Sequence, residues 1–554
     1  MRPQLYRLCA LVAMLLPLAA TAAKPRTLII GITQYPATLH PLIDSMAAKS
    51  YVLGATLRPL TAYDAAWQRT CLLCVELPTF ENGLAVREIL PDGRTGVAVT
   101  YEIRPGARWG DGVPVSTDDV IFAWEVGRHP LSGVASAESF RRIHAIERLD
   151  DRRFVVHSDR LTYQYNLIAP DPLPAHLERP VFEADPATYR NRTLYDTDPT
   201  HPGLWYGPYR VVEVATGSHI VLERNPTFFG DPPFFDRVVI RAIENTAALE
   251  ANLLSGNLDM IEGALGMSLD QAIAFEKRAG DRFRVHYQPG LVYEHIDLML
   301  DNPMLSDVRV RQALLYALDR ETLVRQLFAG RQPVAHGPVH PNDPMYDPEV
   351  PTYPFDPTKA AALFAEAGYR RGPDGVLVDA SGRRLRLELM TTAGNRSREL
   401  VQQVLQGMWR RAGVEVTIRN EPARVFFGET VSRRAFTGLA LFAWISAPES
   451  VPRSTLHSGE IPRPDNGWSG QNYTGYRNPR MDALLDAIEN ELDPERRRGL
   501  WAELQRLYAH DLPALPLYFR AEPHVWPIWL EGPQPTGHLA PTTFGIEHWR
   551  RVSD

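Results

Sequence analysis

The chain has 554 residues, 44% of them hydrophobic and 23% charged, enough for several domains or one multi-lobed unit with buried cores. Its formal charge of -7 at pH 7 gives no electrostatic reason to expect nucleic acid or an anionic membrane as partner. The 47 prolines are spread along the chain and favour turns and loops over long helices.

Residues 1–23 read as a secretory signal peptide. A basic start, "MRPQLYR", precedes the apolar run "LCALVAMLLPLAA", broken by Pro17, and small residues allow cleavage near Ala22 or Ala23. That run is too short for a membrane span, and no later stretch reaches the roughly 18 consecutive apolar residues required. The mature protein is therefore expected to be exported and soluble. Export removes Cys9, one of three cysteines, and leaves Cys71 and Cys74 in "RTCLLCVEL". In an oxidising compartment this pair reads as a small structural disulfide. A redox-active CxxC is the alternative, although such a motif normally opens a helix, whereas "LLCVELPTF" reads as extended.

"RTLIIGIT" reads as a buried strand. Residues 85–104 give two strands around a turn at Pro91-Asp92-Gly93, the second alternating Val97, Val99, Tyr101 and Ile103. Within "RWGDGVP", Asp111-Gly112 reads as a turn. In "STDDVIFAW", Ser116 or Thr117 caps a helix whose first turn holds Asp118 and Asp119, acids suited to the positive end of the helix dipole. Calcium would need more oxygen ligands in another spacing. Further strands are expected over 152–158, 209–215, 219–224 and 237–243, with Gly217-Ser218 as a hairpin turn.

Helical periodicity follows over 246–256, over 306–330 with an interruption near Asp319, and over 356–369 and 397–416. Two more helices are expected at "PRMDALLDAIENEL" and "PERRRGLWAELQRLYAHDL". Strands and helices mixed without strict alternation predict an α/β chain of the mixed α+β kind. No GxSxG, HExxH, dinucleotide fingerprint or P-loop occurs. The 16 histidines are scattered, and His336 and His340 straddle Gly337-Pro338, so they cannot share a helix face. No metal, cofactor or catalytic residue is expected.

Long blocks of the chain resemble the peptide- and nickel-binding proteins of bacterial ABC importers, the family 5 extracytoplasmic solute-binding proteins. They are "TYEIRPGARWGDGVPVSTDDVIFAW", "RNPTFFGDPPFFDRVVIRAIENTAALEANLLSGNLDM", "NPMLSDVRVRQALLYALDRETLVRQLFAG", "DPTKAAALFAEAGY" and "NYTGYRNPRMDALLDAIENELDPERRRGLWAELQRLYAHDLPALPLYF". They stand in the family's order and cover nearly the whole mature chain. The resemblance implies a two-lobed type II periplasmic-binding-protein fold with an inserted domain. Lobe 1 would combine 24–57, 205–288 and 515–554, the insert would occupy 58–204, and lobe 2 would span 289–514. Two crossings would form a hinge. The implied function is capture of a peptide or peptide-like solute by a periplasmic monomer. It would hand the solute to an inner-membrane ABC permease and its ATPase subunits, with no nucleic acid involved.

The family's cleft takes contacts from the segment after the first strand, here "TQYPATLHP" with Tyr35, and from a second-lobe loop, here "LFAWISAPES". Peptide-binding relatives carry an aspartate three residues after the tryptophan, paired with the peptide's free α-amine. Here Trp444 plus three is Ala447, so that anchor is missing. Glu449 reads as an exposed loop acid, with substitution for the missing carboxylate as the alternative. Trp444 is a candidate stacking wall or a core residue, and Ile445, Ser446 and Ala447 an edge for backbone-type hydrogen bonds. Asn395 and Arg396 stand at a strand-to-helix junction, suited to a ligand carboxylate or to simple capping. Trp468 and Tyr473, in "DNGWSGQNYTGY", complete the candidates. A secreted hydrolase, or a binding protein for a non-peptide solute serving a chemoreceptor, are the competing readings.

Overall fold

A computed structural model describes residues 26–43, 46–134, 137–422, 425–466 and 470–552. The expected signal peptide and Trp468 lie outside the described residues. The frame is a ten-stranded mixed sheet. Its order is Glu415–Ile418, Arg386–Met390, Leu439–Ile445, Phe283–Leu298, Ala514–Pro527, Met260–Ile261, Thr27–Ile32, Arg237–Ala242, His219–Arg224 and Tyr209–Ala215.

Two strands of this sheet are unusually long, and they explain the division into two lobes. Phe283–Leu298 and Ala514–Pro527 run antiparallel to one another. Phe283 and Val525 pack in a core with Leu249, Ile261 and Phe275, whereas Ile296, Leu515 and Leu517 pack with Leu314, Leu405 and Trp409. Each strand thus starts in one apolar core and ends in another. The register between them shifts between Pro289 and Tyr293, around Gly290. A Cβ on Gly290 would come within 2.6 Å of the Gly537 carbonyl oxygen, so the close approach there requires glycine. Beside the irregularity, buried Glu294 accepts from Arg398 (Nη2 at 3.1 Å) and from Arg520 (Nε at 2.8 Å).

Local chemistry sets the helices. Asp356, Asn478 and Asp493 each accept from a backbone N–H of the first turn, and each is followed by a proline at the first helical position. The interruption expected near Asp319 separates Val308–Tyr316 from Arg320–Phe328, and Asp319 caps the second helix through Thr322 N–H at 2.9 Å. Arg396–Ala412 ends at Gly413 (φ 91°) and leads into Glu415–Ile418.

A second, four-stranded antiparallel sheet lies apart from the frame, in the order Ala85–Ile89, Thr95–Glu102, Arg153–Ser158 and Ile143–Arg148. It packs with the helix Thr117–Arg128. Asp119, in that helix's first turn, accepts from Ser116 N–H at 2.8 Å, Ala175 N–H at 2.9 Å and Trp109 Nε1 at 3.1 Å. It is therefore a buried junction as well as a capping acid. Asp111 accepts from Val113 N–H at 3.0 Å, closing the expected turn. Cys71 and Cys74 lie with Cα atoms 5.3 Å apart, inside the range a disulfide spans. Among the described residues no helix is long and apolar enough to cross a membrane.

Candidate functional site: the cavity between the lobes

The central strand Leu439–Ile445 carries the second lobe's contribution. Its position between Arg386–Met390 and Phe283–Leu298 fixes Trp444 opposite Tyr293. The Trp444 ring stands edge-on to Phe442 (centroids 5.3 Å apart), tilted against Tyr473 (5.6 Å), and parallel to His295 (6.3 Å). Trp444 and Tyr473 are therefore packed together, both half-buried. Ile445, at 69% exposure, and Ser446 then lead out of the sheet and line a small cleft with Trp444, Val451 and Gln471.

Beyond them lies a cavity of about 760 Å³, within the roughly 300–1,000 Å³ usual for small-molecule sites. One side comes from residues 41–63 and 139–172, with Tyr63, Arg142, Arg160, Gln164 and Asp171, and another from the C-terminal segment His538–Phe544. The second lobe contributes Ala447 and Pro448. Ala447, where the family resemblance implied an acid, lines the cavity with only a methyl side chain. Asp171 is the acid in the lining; Arg142 and Arg160 supply guanidinium groups. Asp171 is exposed to the cavity, and its Oδ1 accepts from Leu60 N–H at 2.8 Å. Desolvation pushes its carboxyl up to about 6, against the lowering effect of that bond. His538 donates from Nε2 to the Asp64 carbonyl oxygen at 2.8 Å, and burial lowers its pKa.

The loop after Ala447 ties the two lobes. The expectation of an exposed acid at Glu449 is corrected: the residue is 4% exposed and adopts φ 57°. Its carboxylate meets Arg69, on the strand Arg69–Cys71, at 3.3 Å and Arg497, on the helix Pro494–Asp511, at 3.0 Å. Its N–H donates to Asp343 Oδ2 at 2.7 Å, and its carbonyl accepts from the Tyr163 hydroxyl. A buried carboxylate needs charged partners, and two arginines converge on this one from different lobes. Glu449 is therefore committed to the lobe contact, and cannot stand in for the missing carboxylate while these bonds persist.

The other sequence candidates fall elsewhere. Asn395 accepts from Arg398 N–H at 3.1 Å and caps its helix, and Arg396 is exposed. Tyr35 packs on the first-lobe core. None of these three is among the residues lining the cavities described above. Sequence reasoning missed Asp171, Arg160, Arg69, Tyr163 and Arg497. The aromatic, polar segment "LTYQYNL" at 161–167 was the available signal for part of this wall.

Two lobes joined by a pair of crossing strands around a ligand-sized cavity define a hinged binding protein. Comparison with known proteins places it further. Residues 79–459 match the family described as bacterial extracellular solute-binding proteins, family 5. The chain belongs to that family. It is 25% identical over 480 residues to the oligopeptide-binding protein AppA of Bacillus subtilis, covering 84% of this chain and 83% of that one. It is 23% identical over 488 residues to heme-binding protein A of Haemophilus influenzae, covering 82% and 83%. Among solved structures it is similar to the oligopeptide-binding protein of Thermus thermophilus complexed with a pentapeptide. That likeness has a TM-score of 0.67 at 32% identity, over 95% of this chain and 96% of that one.

Proposed function

We propose that this chain is the periplasmic, monomeric binding component of an ABC importer and captures a peptide or peptide-like solute between its lobes. The solute would pass to an inner-membrane permease driven by separate ATPase subunits. Relatives named for oligopeptides support the ligand class. The observation that carries the reading is the 760 Å³ cavity with wall residues from both lobes, since closure around it would desolvate a solute on two sides. Binding alone meets that role, and no step of chemistry is required of the chain.

We further infer that the solute is not held by a free α-amine at the second-lobe loop. Ala447 offers no acceptor there, and Glu449 is occupied by Arg69 and Arg497. Ala447 and Pro448 would supply the apolar edge on the second-lobe side, with Trp444, Ile445 and Ser446 in the adjoining small cleft, and Asp171 with Arg160 the polar contacts on the other side. A second reading, a non-peptide solute, is favoured by the same Ala447, and a heme-binding protein is among the relatives. Calorimetry with free and N-acetylated short peptides tests the inference. Comparable affinity supports it, and strong preference for the free amine refutes it. Mass spectrometry of solute co-purified with the native protein separates the peptide from the non-peptide reading.

A further inference from the structure

The face of the four-stranded sheet turned away from its packed core carries a cluster that the solute site does not use. Glu88 stands on the edge strand Ala85–Ile89, His157 on Arg153–Ser158, and His144 and Glu147 on Ile143–Arg148. The strand between Glu88 and His157 offers no bulk. Gly96 lies opposite Glu88, and Ala98 opposite His157. The Glu88 side chain therefore reaches across a whole strand, and its Oε2 lies 2.8 Å from His157 Nδ1. On the far side the register shifts between Ile143 and Ala145. This bulge adds His144 to the residues opposite His157, and bulges characteristically re-aim a side chain in this way. The two imidazole centroids are 5.7 Å apart, and His144 Nε2 is 3.7 Å from Glu88 Oε1.

We propose that Glu88, His144 and His157 form a binding site for a borderline divalent transition-metal ion such as Zn²⁺ or Ni²⁺, with water completing the coordination. One ligand atom from each of the first three lies within 4.8 Å of the others. Tetrahedral ligands at about 2.0–2.1 Å from zinc stand only somewhat closer together than this, so small side-chain rotations would bring them onto an ion. Two imidazoles and a carboxylate are the donor set suited to such ions and unsuited to the oxygen-seeking Ca²⁺ and Mg²⁺. Glu147 Oε2 lies 3.7 Å from His157 Nε2, on the ring edge away from Nδ1, so it steadies the imidazole from outside the site. A second observation points to a ligand: Glu88 Oε1 is shut off from solvent and accepts no hydrogen bond. Such an oxygen normally finds a partner, and a metal ion would be one. His144 remains 43% exposed, so a hydrated ion has access.

The site is separate from the solute cavity but shares its strands. Ile143 and Ser158, the sequence neighbours of His144 and His157, line the cavity. A bound ion would cross-brace these strands from outside.

The competing explanation is an ion pair of Glu88 with protonated histidine, which needs no metal. The test uses full mature protein without a polyhistidine tag, stripped with chelator, and titrated calorimetrically with ZnCl₂ and with NiCl₂. We expect one ion per chain, with affinity at least tenfold weaker in H144A and in E88Q. A crystal soaked in ZnCl₂ should show anomalous density between Glu88, His144 and His157. Melting temperature in chelator checks that both variants fold; H144A, at an exposed position, keeps the test valid should E88Q not. Absence of stoichiometric binding, unchanged affinity in H144A, or anomalous density elsewhere would overturn the site.

Discussion

The guanidinium of Arg69 lies 3.3 Å from the Glu449 carboxylate, joining the strand Arg69–Cys71 to the loop that brings Ala447 and Pro448 to the cavity. Arg497 completes the pair from within the second lobe and stacks over the Tyr163 ring at 4.7 Å. If the lobes part on opening, this contact would be the one broken, which variants at Arg69 and Arg497 test.

Arg69→Ala should therefore weaken solute binding by about 5- to 30-fold while leaving the fold intact, since a charge-assisted hydrogen bond contributes roughly 1–2 kcal/mol at a partly exposed site. Calorimetry reads the affinity, and small-angle scattering should show a larger radius of gyration in the presence of solute. Arg497→Ala should act differently. It leaves a buried carboxylate short of its inner partner, a loss of about 3–5 kcal/mol in buried pairs, and should lower the melting temperature directly. Equal effects of both variants on melting, with none on affinity, would falsify the division of roles.

Ala447→Asp restores a carboxylate to the cavity wall. It should raise affinity for short peptides with a free amine by tenfold or more, and leave N-acetylated peptides unchanged or weaker. Competition between the two in one calorimetric series reads the ratio. If the ratio does not move, Ala447 does not face the position of the peptide amine.

Asp171 gives solute binding a pH signature. Desolvation by the surrounding protein pushes its carboxyl up to about 6, although the residue itself is exposed to the cavity. Any cationic or N–H donor group held on it is held most strongly above pH 6 and released as the pH falls through that value. Asp171→Asn should flatten the profile between pH 5 and 7. A profile identical to wild type would remove Asp171 from the site.

Glu262 should set a second, ligand-independent pH dependence. It is buried, its Oε2 accepts from Leu265 N–H at 3.1 Å, and desolvation with nearby Glu522 pushes it up to about 8. The folded state then holds a proton that the unfolded chain releases near pH 4.5. Stability should fall as pH rises from about 4.5 to about 8, by about 1.4 kcal/mol per unit at most. Glu262→Gln should abolish that slope and be the more stable form at pH 8. Denaturant midpoints at several pH values measure both.

Many helices and several strands were legible because their signals are local. Asn or Asp before proline, glycine at a C-cap and alternating Val97, Val99 and Tyr101 act within a few residues of themselves. The long strands Phe283–Leu298 and Ala514–Pro527 gave no such signal. They carry Pro289, Pro516 and Pro523 and pass through two cores, so their alternation is broken by changes of environment rather than by turns. Glu449 failed for a related reason. Nothing beside it in the chain reveals that Arg69, 380 residues earlier, and Arg497 converge on it.

By itself the sequence determined the mixed α/β class, the helix caps, the family resemblance and the absence of an acid three residues after Trp444. Those properties follow from backbone preference, periodicity and residue identity. Only the tertiary structure decided that Asp171 opens onto the same cavity as Ala447, that Glu449 is committed to Arg69 and Arg497, and that Glu88, His144 and His157 meet across a four-stranded sheet. Such groupings depend on register, bulges and closure, which place residues far apart in the chain within a few ångströms, and local sequence carries no record of those distances.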